Sequence, residues 1–217
     1  MKKSKIYIII MMLLSLVVAC VSFVLLDNII PIHFGVDGKP DQSGSKYFIL
    51  IFPAIACLCG VIMLLVSKST KITDNYKKYL LLTGVIIETM FLILMGVMVV
   101  FGMLYAQDTP PFDISKVLMP LFGLMFIVLG NYMPKIEKNR TLGMKTAWSM
   151  YNEVTWQKTH RFTGFVSIIA GVLILVLGIF FKDMVNFIIL MVLVFVVVIS
   201  STIASYYFYK QEKAKEQ

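Results

Sequence analysis

The sequence predicts an all-α, polytopic membrane protein with six transmembrane helices and both termini in the cytoplasm. Three features point there: apolar content, its distribution, and the placement of charge. Of 217 residues, 59% are hydrophobic and 15% charged, against about half and a quarter in soluble domains. The apolar residues come in long blocks rather than at core-facing intervals, and a run of about 18 already suffices for a spanning helix.

The blocks are Ile6 to Leu26, Tyr47 to Val66, Tyr79 to Tyr105, Val117 to Met133, Phe162 to Phe181 and Met184 to Tyr207. At 1.5 Å per residue each matches a hydrocarbon core of ~30 Å. The first follows Lys2, Lys3 and Lys5 and is longer than the ~7–15 apolar residues of a signal peptide. Val17-Val18-Ala19-Cys20 resembles a lipoprotein cleavage box, but the apolar run continues to Leu26, and an uncleaved first helix is expected. Tyrosines 47, 79, 105, 132, 206, 207 and 209 fall at block ends, where an interfacial aromatic belt would place them. Cys20, Cys57 and Cys59 all lie inside blocks, which argues against a disulfide framework.

Orientation follows from the basic residues. With the N-terminus inside, 16 Lys and Arg fall in cytoplasmic segments and only Lys39, Lys46, Lys116 and Lys182 fall outside. This is the positive-inside bias. It also accounts for the net charge of +8 without nucleic acid as a partner.

Two loops are long. The outer one, Asp27 to Lys46, carries Gly35, Gly38, Pro40 and Gly44 and is expected to be a chain of turns. His33, Asp37 and Asp41 are spaced by four, but the alternating carboxylates of a calcium loop are missing, and no metal is expected. The segment Ile30-Pro31-Ile32-His33-Phe34-Gly35, then Asp37-Gly38, Pro40-Asp41 and Lys46, resembles a bacterial membrane domain of unknown function that often precedes the SdpI domain. The resemblance marks Pro31, His33, Asp37, Asp41 and Lys46 as candidates for a ligand- or toxin-facing loop.

The inner loop spans Pro134 to Arg161. Pro134 should stop the fourth helix, Gly143 should permit a turn, and Ser149 with Glu153 should open a short amphipathic helix over Met150 to Phe162 at the inner membrane surface. Its titratable groups offer no nucleophile–base pair, so an enzyme is not expected, nor a cofactor. Gly130-Asn131-Tyr132-Met133-Pro134-Lys135, Asn139, Gly143, Thr146-x-Trp148 and Trp156-x-Lys158-Thr159-His160-Arg161-x-x-Gly164 resemble the signature of the SdpI family of immunity proteins against a sporulation-delaying peptide toxin. Lys145-Thr146-Ala147-Trp148 departs from that family's Arg-Thr-Pro-Trp, losing a helix-start proline and a bidentate guanidinium fork. The resemblance implies resistance to a peptide toxin met from outside and a signal relayed to a cytoplasmic transcriptional repressor. It implies two domains: a two-helix one over 1–78 and a four-helix one over 79–217.

Glu88 is the one acidic residue deep within a block, and a carboxylate there must face the bundle interior. Asn186 and Ser167 are its candidate partners. Glu88 supplies the alternative function, a small transporter or ion-coupled protein.

Overall fold

A computed structural model describes residues 1–35, 39–106 and 113–216. Its order is α1 (Lys2–Leu25), β1 (Ile29–Phe34), β2 (Pro40–Ser45), a 3₁₀ turn (Lys46–Leu50), α2 (Ile51–Val66), α3 (Asp74–Ala106), α4 (Ser115–Tyr132), a second 3₁₀ turn (Met133–Lys135), α5 (Glu153–Phe180) and α6 (Asp183–Lys213). Among the described residues six helices are long and apolar enough to cross a membrane. They wear their apolar residues outward: Val24 is 85% exposed and Ile179 73%. In water that surface would be untenable; against lipid tails it is ordinary.

The chain forms two compact units, Met1–Val117 and Leu118–Gln217. The first reaches well past the boundary at residue 78 expected from the sequence, because α3 packs on both α1 and α2. Tyr7 and Thr89 join α1 to α3 by a hydrogen bond of 3.1 Å.

The outer loop is not a string of turns. Its ends pair as an antiparallel hairpin, with Ile29 opposite Ser45 and Pro31 opposite Ser43, and the register shifts around His33. Apolar Ile29, Ile30, Ile32 and Phe34 make this segment a good strand, and Pro40 and Gly44 fall within its partner strand. Ile30 is fully buried with Ala19, Leu26, Ile49, Met95, Met98 and Val99. Phe34 meets Phe101 edge-on at 4.9 Å. A side chain at Gly102 would collide with Leu26, so the loop sits directly on the α3 backbone there.

In the second unit α5 and α6 form an antiparallel pair joined through Phe181 and Lys182. α4 meets α5 through glycines. A Cβ on Gly130 would lie 2.7 Å from the carbonyl oxygen of Gly164, and one on Gly123 2.9 Å from that of Gly171. Gly178 is filled in the same way by Met119. The spacing of seven along α5 keeps Gly164, Gly171 and Gly178 on one face, which is the small-residue route to close helix approach in lipid. α4 carries Pro120 in its interior.

The separate helix expected over Met150 to Phe162 does not form as its own element. Residues 147–150 are a turn, and the helix from Glu153 runs without a break into the fifth span. Asn152, not Ser149, caps it, its side chain accepting from Thr155 N–H at 2.8 Å. Asn152 has the extended backbone a cap requires, whereas the Ser149 hydroxyl is consumed inside the loop.

Candidate functional site

The inner-loop motif folds into one cluster over the adjoining ends of α5 and α6. At its centre Trp156 and His160, one helical turn apart, are both fully buried and stack with ring centroids 3.8 Å apart. Trp156 Nε1 donates to the carbonyl of Ile136 at 2.8 Å. The backbone N–H of Met144 donates to His160 Nε2 at 3.1 Å, so that nitrogen presents a lone pair. Nδ1 then carries the proton and donates to the carbonyl of Trp156 at 2.9 Å. The imidazole is neutral, held at both nitrogens, and unavailable as a surface acid or base. Gly143 covers its Nε2 edge with φ +98°, and a Cβ there would lie 2.2 Å from Nε2. The sequence motif thus requires glycine twice over, for conformation and for room.

Around this centre the loop is closed by short polar contacts. Asn139 Oδ1 accepts from the N–H groups of Thr141 and Leu142. The Ser149 hydroxyl donates to the carbonyl of Met144 and accepts from Thr146 N–H, while Ser149 N–H donates to Thr146 Oγ1. Thr146 reaches Ser205 of α6 at 2.8 Å. Trp148 packs edge-on to Tyr206, and Tyr151 to Tyr209. Lys158 pairs with Glu212 at 2.8 Å, as does Lys215 at 2.9 Å. Pro134 lies in the second 3₁₀ turn against Gly164.

The structure therefore brings together Gly130, Pro134, Asn139, Gly143, Thr146, Trp148, Trp156 and His160. Asn131 and Arg161 stay on the surface. Sequence inspection missed Ser149, Ser205 and Glu212 as members of the cluster. For Ser205 and Glu212 no local pattern could help, because the loop and α5 groups they bond, Thr146 and Lys158, are distant in sequence. It also missed a line of hydroxyls on α5. Thr155, Thr159 and Thr163, four residues apart, are buried, and no described group bonds their oxygens.

The outer hairpin divides its five candidates. Lys46 is structural, since its Nζ donates to the carbonyls of Phe23 and Leu26 at 3.1 and 3.2 Å and so caps the end of α1. Pro31 is buried in β1. His33 Nδ1 and Asp41 Oδ1 face each other at 2.6 Å across the strands, both exposed. Asp37 lies outside the described residues. No cluster of three metal-ligating side chains occurs among the described residues.

Glu88, in the first unit, is 1% exposed. Neither carboxyl oxygen has a hydrogen bond among the described residues. Asn186, buried in α6, donates instead to the carbonyl of Phe181 at 3.0 Å. Glu88 sits against Gly60, where an added Cβ would lie 2.6 Å from Oε1 and equally close to the sulfur of Met12.

Six membrane-length helices among the described residues, with a hairpin after the first and a structured polar loop before the fifth, define a multi-pass membrane protein. Residues 135–205 match the SdpI/YfhL protein family, and residues 10–57 match a domain of unknown function, DUF1648. The chain is 28% identical over 206 residues to the immunity protein SdpI of Bacillus subtilis (strain 168), covering 92% of this chain and 96% of that protein. The SdpI resemblance thus extends over most of the chain, with its family-specific part on α5, α6 and the loop before them. No solved structure matches.

Proposed function

We propose that this protein is a membrane immunity protein that protects its cell from a membrane-active peptide toxin. The hairpin at 29–45 would face the toxin side and the cluster at 136–160 the cytoplasm. The observation that carries this is the near end-to-end similarity to an immunity protein, supported by a loop motif that folds around a buried Trp156–His160 pair rather than around catalytic groups. Trp148, Arg161 and Lys145 leave accessible surface on this cluster, suited to a cytoplasmic protein such as a repressor. Positive-inside charge supports the orientation.

The test is a gene deletion challenged with peptide toxins from neighbouring strains, complemented by the parent or by Trp148→Ala. Selective sensitivity of the deletion, rescued by the parent, is the expected result. If Trp148→Ala reaches the membrane in parental amounts and restores resistance but not toxin-dependent transcription, the loop serves relay rather than protection. Unchanged survival with every toxin would sink the proposal.

One observation favours a second function. A buried carboxyl without a described partner is costly, and ion-coupled transport through Glu88 would give it a use. Glu88→Gln keeps the shape and removes the charge. Loss of solute or ion flux in that variant, with toxin resistance unchanged, would favour transport.

A further inference from the structure

The second unit contains a cavity of about 230 Å³ whose wall is apolar except for the hydroxyl-bearing Thr163 and Ser167. Gly143 and Met144 of the loop stand at one end. The chain directions of α4, α5 and α6 fix the rest of the order. Met133 and Thr163 come next, Leu129, Ser167 and Val198 lie at middle depth, and Met125 and Val194 lie furthest from the loop. Val198 is 48% exposed, so the chamber opens sideways where lipid would stand. Thr163 is 3% exposed, and its hydroxyl has no partner among the described residues. A threonine in a helix normally returns its hydroxyl to the preceding turn; this one is left available at the wall of a cavity. Beside the loop end are basic residues on the surface, Lys135, Arg140, Lys145 and Arg161, against the acidic Glu137 and Glu153.

We propose that this cavity is a binding site for one acyl chain of an anionic phospholipid from the leaflet nearest the loop. The site matches such a molecule: cationic side chains on the loop surface beside the cavity for the phosphate, the Thr163 hydroxyl in the wall for an ester carbonyl, and Met, Leu and Val in the wall for the chain. Charge complementarity selects an anionic lipid over a zwitterionic one, since juxtamembrane Lys and Arg each contribute about 1 kcal/mol toward anionic surfaces. A soluble polar metabolite would find no ion pair in the chamber. An apolar peptide side chain would leave the Thr163 hydroxyl unused.

Photocrosslinking of the full chain in nanodiscs tests this, using phosphatidylglycerol with a diazirine at the end of one acyl chain. Labels should concentrate on Met125, Phe126 and Val194. Val198→Trp and Leu129→Trp fill the chamber from opposite walls and should each lower that labelling at least fivefold. Thr163→Val, which keeps the volume and removes only the hydroxyl, should lower it about twofold. Each variant counts once its size-exclusion profile and helical circular dichroism match the parent. Even labelling along the lipid-facing side of α6, at Phe195 and Ile203 as much as at Val194, overturns the site. So does labelling that none of the three variants changes. Equal labelling by the matching phosphatidylcholine probe overturns the anionic assignment, and stronger labelling by a diazirine fatty acid overturns the phospholipid one.

Discussion

His160 shows how a residue that looks chemical in sequence becomes structural. A histidine beside lysine and arginine suggests a titrating surface group. Here both nitrogens are spent on backbone and one face on Trp156. Two consequences follow at this scale. Gly143→Ala should destabilise the protein by at least the ~1–3 kcal/mol of a strained backbone, because the new methyl also meets His160. Trp156→Phe should cost about 1–3 kcal/mol by orphaning the carbonyl of Ile136. Thermal unfolding in detergent reads both, and a melting point unchanged in either variant would contradict the packing described. Glu88→Gln, by contrast, should leave the melting point near the parental value, since a neutral amide suits an apolar site at least as well as a carboxylate.

At the scale of elements, the apolar helices were legible because membrane length and block hydrophobicity are properties of contiguous sequence. The hairpin was not. Ile29 to Phe34 alternates poorly, Pro31 interrupts it, and glycine and proline punctuate its partner. Burial of Ile30 against α3 decides in favour of strands, and that contact joins residues about 70 positions apart. The start of α5 was misplaced for a related reason. Ser149 has the chemistry of a cap, but its hydroxyl is drawn into the loop by Thr146 and Met144, leaving the role to Asn152. The loop candidates other than Asn131 and Arg161 lie together in the fold, and it was their family motif that made them visible. Lys46 was read as a ligand-side residue, yet it caps α1. Lys46→Met should therefore lower stability by about 1–3 kcal/mol, through two lost charge-assisted bonds. Gly171→Leu should separate α4 from α5 and cost at least as much as overpacking, ~1–3 kcal/mol. Retention of the parental melting point by Gly171→Leu would refute the glycine contact.

For the whole molecule the open quantity is direction across the membrane. Positive-inside charge predicts that the hairpin and the loop cluster lie on opposite sides, with the cluster in the cytoplasm. In a chain whose three native cysteines are replaced by serine, a cysteine at Asp41 should react with an impermeant maleimide on intact cells. A cysteine at Lys145 should react only after lysis. The reverse pattern would invert the topology and move the proposed lipid site to the other leaflet.

Asn152 starts a helix that contains no proline and does not stop until Phe180. Its 28 residues make a rod of roughly 42 Å at 1.5 Å per residue. The first turns carry Trp156 and His160, and the glycines that pack on α4 follow from Gly164 to Gly178. No proline interrupts this rod between the loop cluster and the contacts with α4. The loop cluster and the glycine interface with α4 are thus carried by one continuous helix, and a displacement of the first would be felt along the second.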